Sequence, residues 1–180
     1  MTTHKYIISG FGGQGVMSMG MMLAYAGMLE DKEVTWLPSY GPEMRGGTAN
    51  CSVVISDKPV SSPVVTKATS VITMNLPSLI KFQDNLKEGG NLFINSSLID
   101  EKASRKDVHA YYITANDMAL VLGNDKTSNM IMLGAVLSKT ATVSLKSVEK
   151  VLEKLFKNKQ SLIPLNIKAL NLGYETQMVL

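Results

Sequence analysis

Hydrophobic positions fall into short blocks separated by glycine and proline, and the spacing inside the blocks predicts alternating strands and helices. Lys5–Ser9 is a brief apolar run ending at Gly10, the pattern of a buried strand. A glycine turn follows, and Val16–Glu30 then sets Val16, Met19, Leu23, Ala26 and Leu29 near helical spacing. Glu33–Leu37 predicts a second strand. Strand, turn, helix and strand in this order make a βαβ unit, the seed of a parallel sheet with a right-handed crossover.

Thr48–Ser56 carries the cleanest alternation: Ala49, Cys51, Val53 and Ile55 interleave with Thr48, Asn50, Ser52 and Ser56. Period two predicts a strand with one buried face. No helix separates it from the preceding strand, so the two are expected to be antiparallel and the sheet mixed. Lys58–Thr69, with Pro59 and Pro63, reads as a crossing loop. Ser70–Met74 is a strand, Pro77–Asn85 a helix with proline in its first turn, Gly89-Gly90 a turn, and Asn91–Asn95 and Val108–Ile113 are strands. Thr114 and Asp117 open a helix that Gly123 closes. Asn129–Lys139 is apolar on most sides and should be buried on more than one. Ser144–Lys157 places Leu145, Val148, Leu152 and Leu155 on one face and its lysines on the other, and Pro164–Met178 forms the last helix. The fold class is α/β. No repeat or low-complexity stretch interrupts it, so residues 1–180 read as one domain.

Composition narrows the function. At 45% apolar and 18% charged the chain can bury one sizeable core and is not disordered. The net charge of +3 comes almost wholly from lysine, with only Arg45 and Arg105 as arginines, and no basic stripe interleaves with aromatics. A nucleic-acid partner is therefore not expected. One cysteine excludes a disulfide framework, a cysteine zinc site and an iron–sulfur cluster held within the chain. His4 and His109 are the only histidines, which argues against a histidine metal site. Tyr6–Leu29 is free of charge, and Ala24-Tyr25-Ala26 behind Lys5 imitates a signal-peptide cleavage site. Gly10, Gly12, Gly13 and Gly15 cut that run, leaving Val16–Leu29 too short to span a bilayer. No membrane association is expected, and the lone cysteine fits a cytoplasmic location.

Two segments carry candidate chemistry. Gly10-Phe11-Gly12-Gly13-Gln14-Gly15 has the G-x-G-x-x-G form after a strand and before a helix. Glycine there permits a tight turn, lets backbone N–H groups approach a phosphate, and leads into the positive end of the helix dipole. Close strand–helix packing is the simpler use of the same residues. The NAD form of the motif wants an acid at the end of the second strand, but that strand runs into Leu37-Pro38-Ser39-Tyr40. The second segment, Tyr40–Gly47, concentrates Tyr40, Gly41, Glu43, Arg45, Gly46 and Gly47 after a strand, where α/β proteins place ligands; Asn50 follows closely. Its simpler reading is a surface turn with a Glu43–Arg45 pair. Cys51 sits on the apolar face of its strand and reads as core, His109 as a satisfied strand histidine, and the lysines from Lys146 to Lys159 as a solvated helix face. The twelve methionines read chiefly as core filler.

Gly10–Val16 and Tyr40–Asp57, with Ser62-Pro63, Gly89-Gly90, Asn95, Asn129, Leu133-Gly134-Ala135, Asn166, Ala169 and Gly173, resemble the gamma subunit of 2-oxoacid:ferredoxin oxidoreductases, the pyruvate, ketoisovalerate and 2-oxoglutarate enzymes. The resemblance covers essentially the whole chain. Ala68-Thr69-Ser70 departs from it, where the family commonly has Ala-Asp. The resemblance implies a three-layer α/β/α Rossmann-like domain with a mixed, mostly parallel sheet. It implies a gamma subunit, inactive alone, in a complex that converts a 2-oxoacid, coenzyme A (CoA) and oxidised ferredoxin to acyl-CoA, CO2 and reduced ferredoxin, with 2-oxoglutarate the favoured substrate. The alpha and beta subunits, and a delta subunit or domain, would hold thiamine diphosphate with its Mg and the iron–sulfur clusters. This chain would hold no tightly bound cofactor and would aid CoA access and assembly. Gly10, Gly12, Gly13, Gln14 and Gly15 are then the cofactor-contacting set, and Tyr40–Gly47 with Asn50 the ligand- or subunit-facing loop. A free-standing NAD(P)- or nucleotide-binding enzyme and a ligand-free assembly scaffold are the competing readings.

Overall fold

A computed structural model describes residues 2–39 and 48–176. Among them six strands form one sheet: β1 (Thr3–Gly10), β2 (Glu33–Ser39), β3 (Ala49–Ser56), β4 (Ala68–Thr73), β5 (Leu86–Asn95) and β6 (His109–Ile113). The spatial order is β2-β3-β1-β4-β5-β6. β1, β4, β5 and β6 pair in parallel, and β3 runs antiparallel to both neighbours. The mixed, mostly parallel Rossmann-like sheet is as expected. The βαβ reading needs one correction: β1 and β2 point the same way but do not touch, because β3 lies between them and pairs with each. The expected single buried face is also exceeded: Val54 and Ser56 are buried as well as the alternating set, so the carboxyl half of β3 is covered on both faces.

The helices are α1 (Val16–Leu29), α2 (Leu76–Phe82), α3 (Ala115–Val121), α4 (Ser128–Thr140), α5 (Leu145–Leu155) and α6 (Ile163–Glu175). They cover the sheet unequally. On one face α1 and α3–α6 pack against Tyr6, Ile8, Val53, Ile55, Ile72 and Phe93. On the other, α2 and the loop segments around Val60, Val65, Ile99 and Ala103 cover Ile7, Val54, Val71, Leu92 and Ile94. α4 is buried from Ser128 to Leu137, which explains why its sequence shows no polar stripe. It lies hard against α6: a Cβ at Gly134 would stand 2.0 Å from the Leu170 carbonyl oxygen, and one at Gly173 would stand 1.9 Å from that of Ile131. Glycine at both places lets the two backbones meet.

The Gly89-Gly90 pair is not a turn between elements but part of β5. The register with β4 shifts between Ala68 and Ser70, Gly89 takes φ +67°, and its N–H donates to the Asp107 carbonyl at 2.8 Å. This is a bulge that a residue with a Cβ would strain. At the corner where α1 meets α5, Glu30 Oε1 accepts from the Ser144 N–H at 2.6 Å, and Lys32 Nζ donates to the Thr142 carbonyl. Partial burial works against the Glu30 anion, but the bonds from Ser144 and Ser147 and the nearby Lys32 outweigh it and hold the carboxyl below its usual value. No described helix is long and apolar enough to cross a membrane.

Candidate functional site

The order of the strands marks one place on the molecule. After β1 the chain turns to one side, through α1 to β2; after β4 it turns to the other, through α2 to β5. α1 packs on one face and α2 on the opposite one. The carboxyl ends of β1 and β4 therefore form the topological switch point, where α/β proteins bind ligands. Gly10–Gly15 emerges from β1 at this point.

The glycines of the turn have different physical reasons. At Gly10 a Cβ would stand 2.7 Å from Gln14 Oε1 and 2.9 Å from Met74 Cβ, so this glycine serves close packing. Gly15 takes φ +72°, and a Cβ there would stand 2.3 Å from Asn129 Nδ2, which donates to the Gly15 carbonyl at 3.4 Å. Gly13 takes φ +91° with open space where its Cβ would be. Gly12 has open space and no left-handed backbone angle. Nothing among the described residues requires glycine at 12.

Gln14 ties the turn to the neighbouring strand. Its Oε1 accepts from the Phe11 N–H at 2.7 Å and from Asn75 Nδ2 at 3.3 Å, and its Nε2 donates to the Met74 carbonyl at 3.2 Å. Asn75 in turn accepts from the Ser78 N–H at 2.9 Å and caps α2. The same Met74 carbonyl accepts from Asn95 Nδ2 at 3.3 Å, and Asn95 also donates to Asn116 Oδ1 at 2.8 Å. An amide network thus runs along the carboxyl edge of β1, β4 and β5 and fixes the turn from behind. Gln14 is accordingly a positioning residue with its polar atoms spent inside the protein. The signal for Asn75 was present in Asn75-Leu76-Pro77, a capping residue ahead of a first-turn proline. Asn116 gave no local signal.

In front of the turn is a cavity of about 280 Å3, lined by Phe11, Gly12, Gly13, Gly15, Val16, Met17, Ser18 and Ala49. α1 begins here with Gly15 as its cap residue, no side-chain cap and no acid in its first turn. Its first N–H groups have no intrahelical acceptor and carry the positive end of the helix dipole. The cavity has room and donors for an anion, and the switch point gives it a fixed frame.

Of the second candidate segment, Tyr40, Gly41, Glu43, Arg45, Gly46 and Gly47 lie outside the described residues. Its described flanks, Ser39 and Ala49, stand at the glycine-turn edge, since Ala49 pairs with Gly10 and Ser39 with Asn50. Asn50 is a strand residue of β3 rather than a loop residue, opposite Ser9, with Nδ2 3.5 Å from the Thr48 carbonyl. Cys51 is fully buried, its Sγ 3.6 Å from the Val16 carbonyl, and burial pushes the thiol up to about 12. It is core, as read. His109 is the first residue of β6 and is exposed. Lys146, Lys150, Lys154, Lys157 and Lys159 are exposed on a solvated face. No group of three His, Cys, Asp or Glu among the described residues could hold a metal ion.

The order β2-β3-β1 also bears on a dinucleotide. The acid that holds an NAD ribose stands at the end of the strand beside β1. Here that neighbour is antiparallel β3, and β2 lies two strand spacings from β1, roughly 9–10 Å.

These features define a class: a doubly wound α/β protein with a glycine turn at its switch point. The chain belongs to the pyruvate ferredoxin/flavodoxin oxidoreductase family, whose model matches residues 5–176. It is 36% identical over 172 residues to the 2-oxoglutarate synthase subunit KorC of Methanocaldococcus jannaschii, covering 93% of this chain and 90% of that one. It is 36% identical over 169 residues to the ketoisovalerate oxidoreductase subunit VorA of Methanothermobacter thermautotrophicus, covering 93% of this chain but only 35% of that longer relative. The crystal structure of the keto/oxoacid ferredoxin oxidoreductase gamma subunit from Geobacter sulfurreducens superposes with a TM-score of 0.83 at 28% identity, covering 96% of each chain.

Proposed function

We propose that residues 1–180 act as one gamma-subunit domain of a 2-oxoacid:ferredoxin oxidoreductase. The reaction is 2-oxoacid plus CoA plus oxidised ferredoxin to acyl-CoA, CO2 and reduced ferredoxin, with 2-oxoglutarate as the substrate. The observation that carries this reading is the family match from residue 5 to 176, joined to near end-to-end coverage of the KorC relative.

Alpha, beta and delta partners would hold thiamine diphosphate with its Mg and the iron–sulfur clusters. The one cysteine of this chain is buried in its core, and its polar turn residues are engaged with each other. This chain's part is to receive an anionic portion of CoA. The open backbone at Gly12 and Gly13 and the uncapped start of α1 fit a phosphate. Gln14 and Asn129 hold that backbone in place. The segment Tyr40–Gly47 would face the ligand or a neighbouring subunit, since both its flanks stand at this edge. Arg45 would bind a carboxylate or phosphate through its planar fork.

The test is reconstitution with the alpha, beta and delta subunits and ferredoxin, assayed separately with 2-oxoglutarate, ketoisovalerate and pyruvate. The reading expects CoA-dependent ferredoxin reduction only when this chain is present, and the highest kcat/KM with 2-oxoglutarate. Full turnover without the chain overturns the subunit role; a preference for another acid overturns the substrate.

A further inference from the structure

At the end of the sheet opposite the glycine turn, a cavity of about 430 Å3 opens between the amino ends of β1, β4 and β5 and the carboxyl end of α4. Ser70 and Asn91 lie side by side in the β4–β5 register, and Ser70 also pairs with Tyr6 on β1. Tyr6, Ile72 and Phe93 face the helical layer, and side chains alternate along a strand. His4, Ser70 and Asn91 therefore face that layer too. Lys87, Lys139 and Thr140 also line it.

Two independent features stand out. Every ionisable group lining the cavity is basic: His4, Lys87 and Lys139, with no carboxylate among them. And Ser70, 1% exposed, has a buried Oγ with no hydrogen-bond partner. Its neighbours on β4 are satisfied: Thr69 Oγ1 donates to the Lys5 carbonyl and Thr73 Oγ1 to that of Phe93. A buried hydroxyl without a partner is destabilising, so its retention needs a reason.

We propose that this cavity is a second ligand site, separate from the glycine turn, that takes the phosphate group of a small molecule, with Ser70 Oγ–H donating to it and Lys87 and Lys139 supplying the charge. Lys139 lines the cavity while its ammonium lies over the Tyr111 ring, 5.4 Å from the ring centre. The carboxyl end of α4 adds partial negative charge on its own side, so the phosphate belongs on the side of Lys87 and His4. The His4 imidazole is already held below its ordinary value. Burial is the chief cause, Lys32 and Lys87 add to it, and Asp57 opposes it. The cation that faces an anion here is therefore Lys87, with the His4 ring beside it as a neutral hydrogen-bonding group.

The test is an amide NMR titration of the full chain with inorganic phosphate and, separately, ribose 5-phosphate. Saturable shifts are expected at residues 3–5, 69–71, 87–91 and 139–140, distinct from any at 12–18. Tighter binding of ribose 5-phosphate identifies a phosphate ester as the ligand; equal binding identifies free phosphate. Ser70→Ala should weaken binding about tenfold or more while leaving the melting temperature unchanged or raised, because it removes an orphaned hydroxyl. Lys87→Gln with Lys139→Gln should abolish saturation. No saturation into the millimolar range, shifts confined to 12–18, or wild-type affinity in Ser70→Ala would each overturn the site.

Discussion

Alanine placed in turn at Gly12 and Gly15 separates glycines that the fold needs from the one it does not. At Gly15 the substitution meets two obstacles. The backbone sits at φ +72°, which costs an L-residue about 1–2 kcal/mol. The new methyl would stand 2.3 Å from Asn129 Nδ2, and overpacking of this kind costs about 1–3 kcal/mol more. Asn129 cannot give way freely, because it lies at the buried start of α4 and holds the Gly15 carbonyl. The sum is about 2–5 kcal/mol, or a melting temperature lower by roughly 4–20 °C in a chain of this size. At Gly12 neither obstacle exists, and a loss of unfolded-state entropy stabilises by up to about 1 kcal/mol. Thermal unfolding followed by circular dichroism reads both. Equal melting temperatures for Gly15→Ala and wild type, or a fall at Gly12→Ala as large as at Gly15→Ala, would refute the assignment of roles.

Gly134→Ala forces α4 and α6 apart at a backbone contact and should cost about 3 kcal/mol, the upper end for overpacking; chemical denaturation measures it, and a loss under about 1 kcal/mol contradicts the packing. Glu30 is held below its ordinary value of 4.5 in the folded chain, so its contribution to stability is complete above that pH and fades as the pH falls through the lowered folded value. Glu30→Gln should therefore be destabilised near neutrality, with the gap to wild type narrowing in acid; a gap that stays constant with pH would exclude the ionised hydrogen bonds. Cys51, with its thiol pushed up to about 12, should resist alkylation at pH 8 until the chain unfolds. Rapid labelling of the native protein would contradict its burial.

Local pattern carried much of this structure, and its limits are specific. The alternation in Thr48–Ser56 announced β3, and the lack of a helix before it announced its antiparallel sense, but neither showed that β3 inserts between β1 and β2. Pairing order is a long-range property that no local period records. Gly89-Gly90 has the composition of a turn; the strand passes through it because a bulge uses the same backbone freedom, held by Asp107. Gly10–Gly15 was legible as a tight glycine turn between strand and helix, yet its sequence did not say which glycines pack and which stay open. That division depends on Met74 and Asn129, distant in the chain. Gln14 was legible as part of the motif and turned out to hold the turn from behind. Gly134 and Gly173 could be quoted as matching positions, but the helix contact that demands them appears only in three dimensions.

The measurement closest to the central claim is the KM for CoA of the reconstituted complex carrying Gly12→Val in this chain. The open space at Gly12 lets the isolated chain keep its fold, while the added side chain fills the approach to the turn. The account predicts a KM for CoA raised about tenfold or more, the equivalent of ~1.4 kcal/mol of lost binding, with the KM for 2-oxoglutarate and the yield of assembled complex at wild-type values. An unchanged KM for CoA, or an equal rise in both KM values, would contradict a CoA-facing role for the glycine turn.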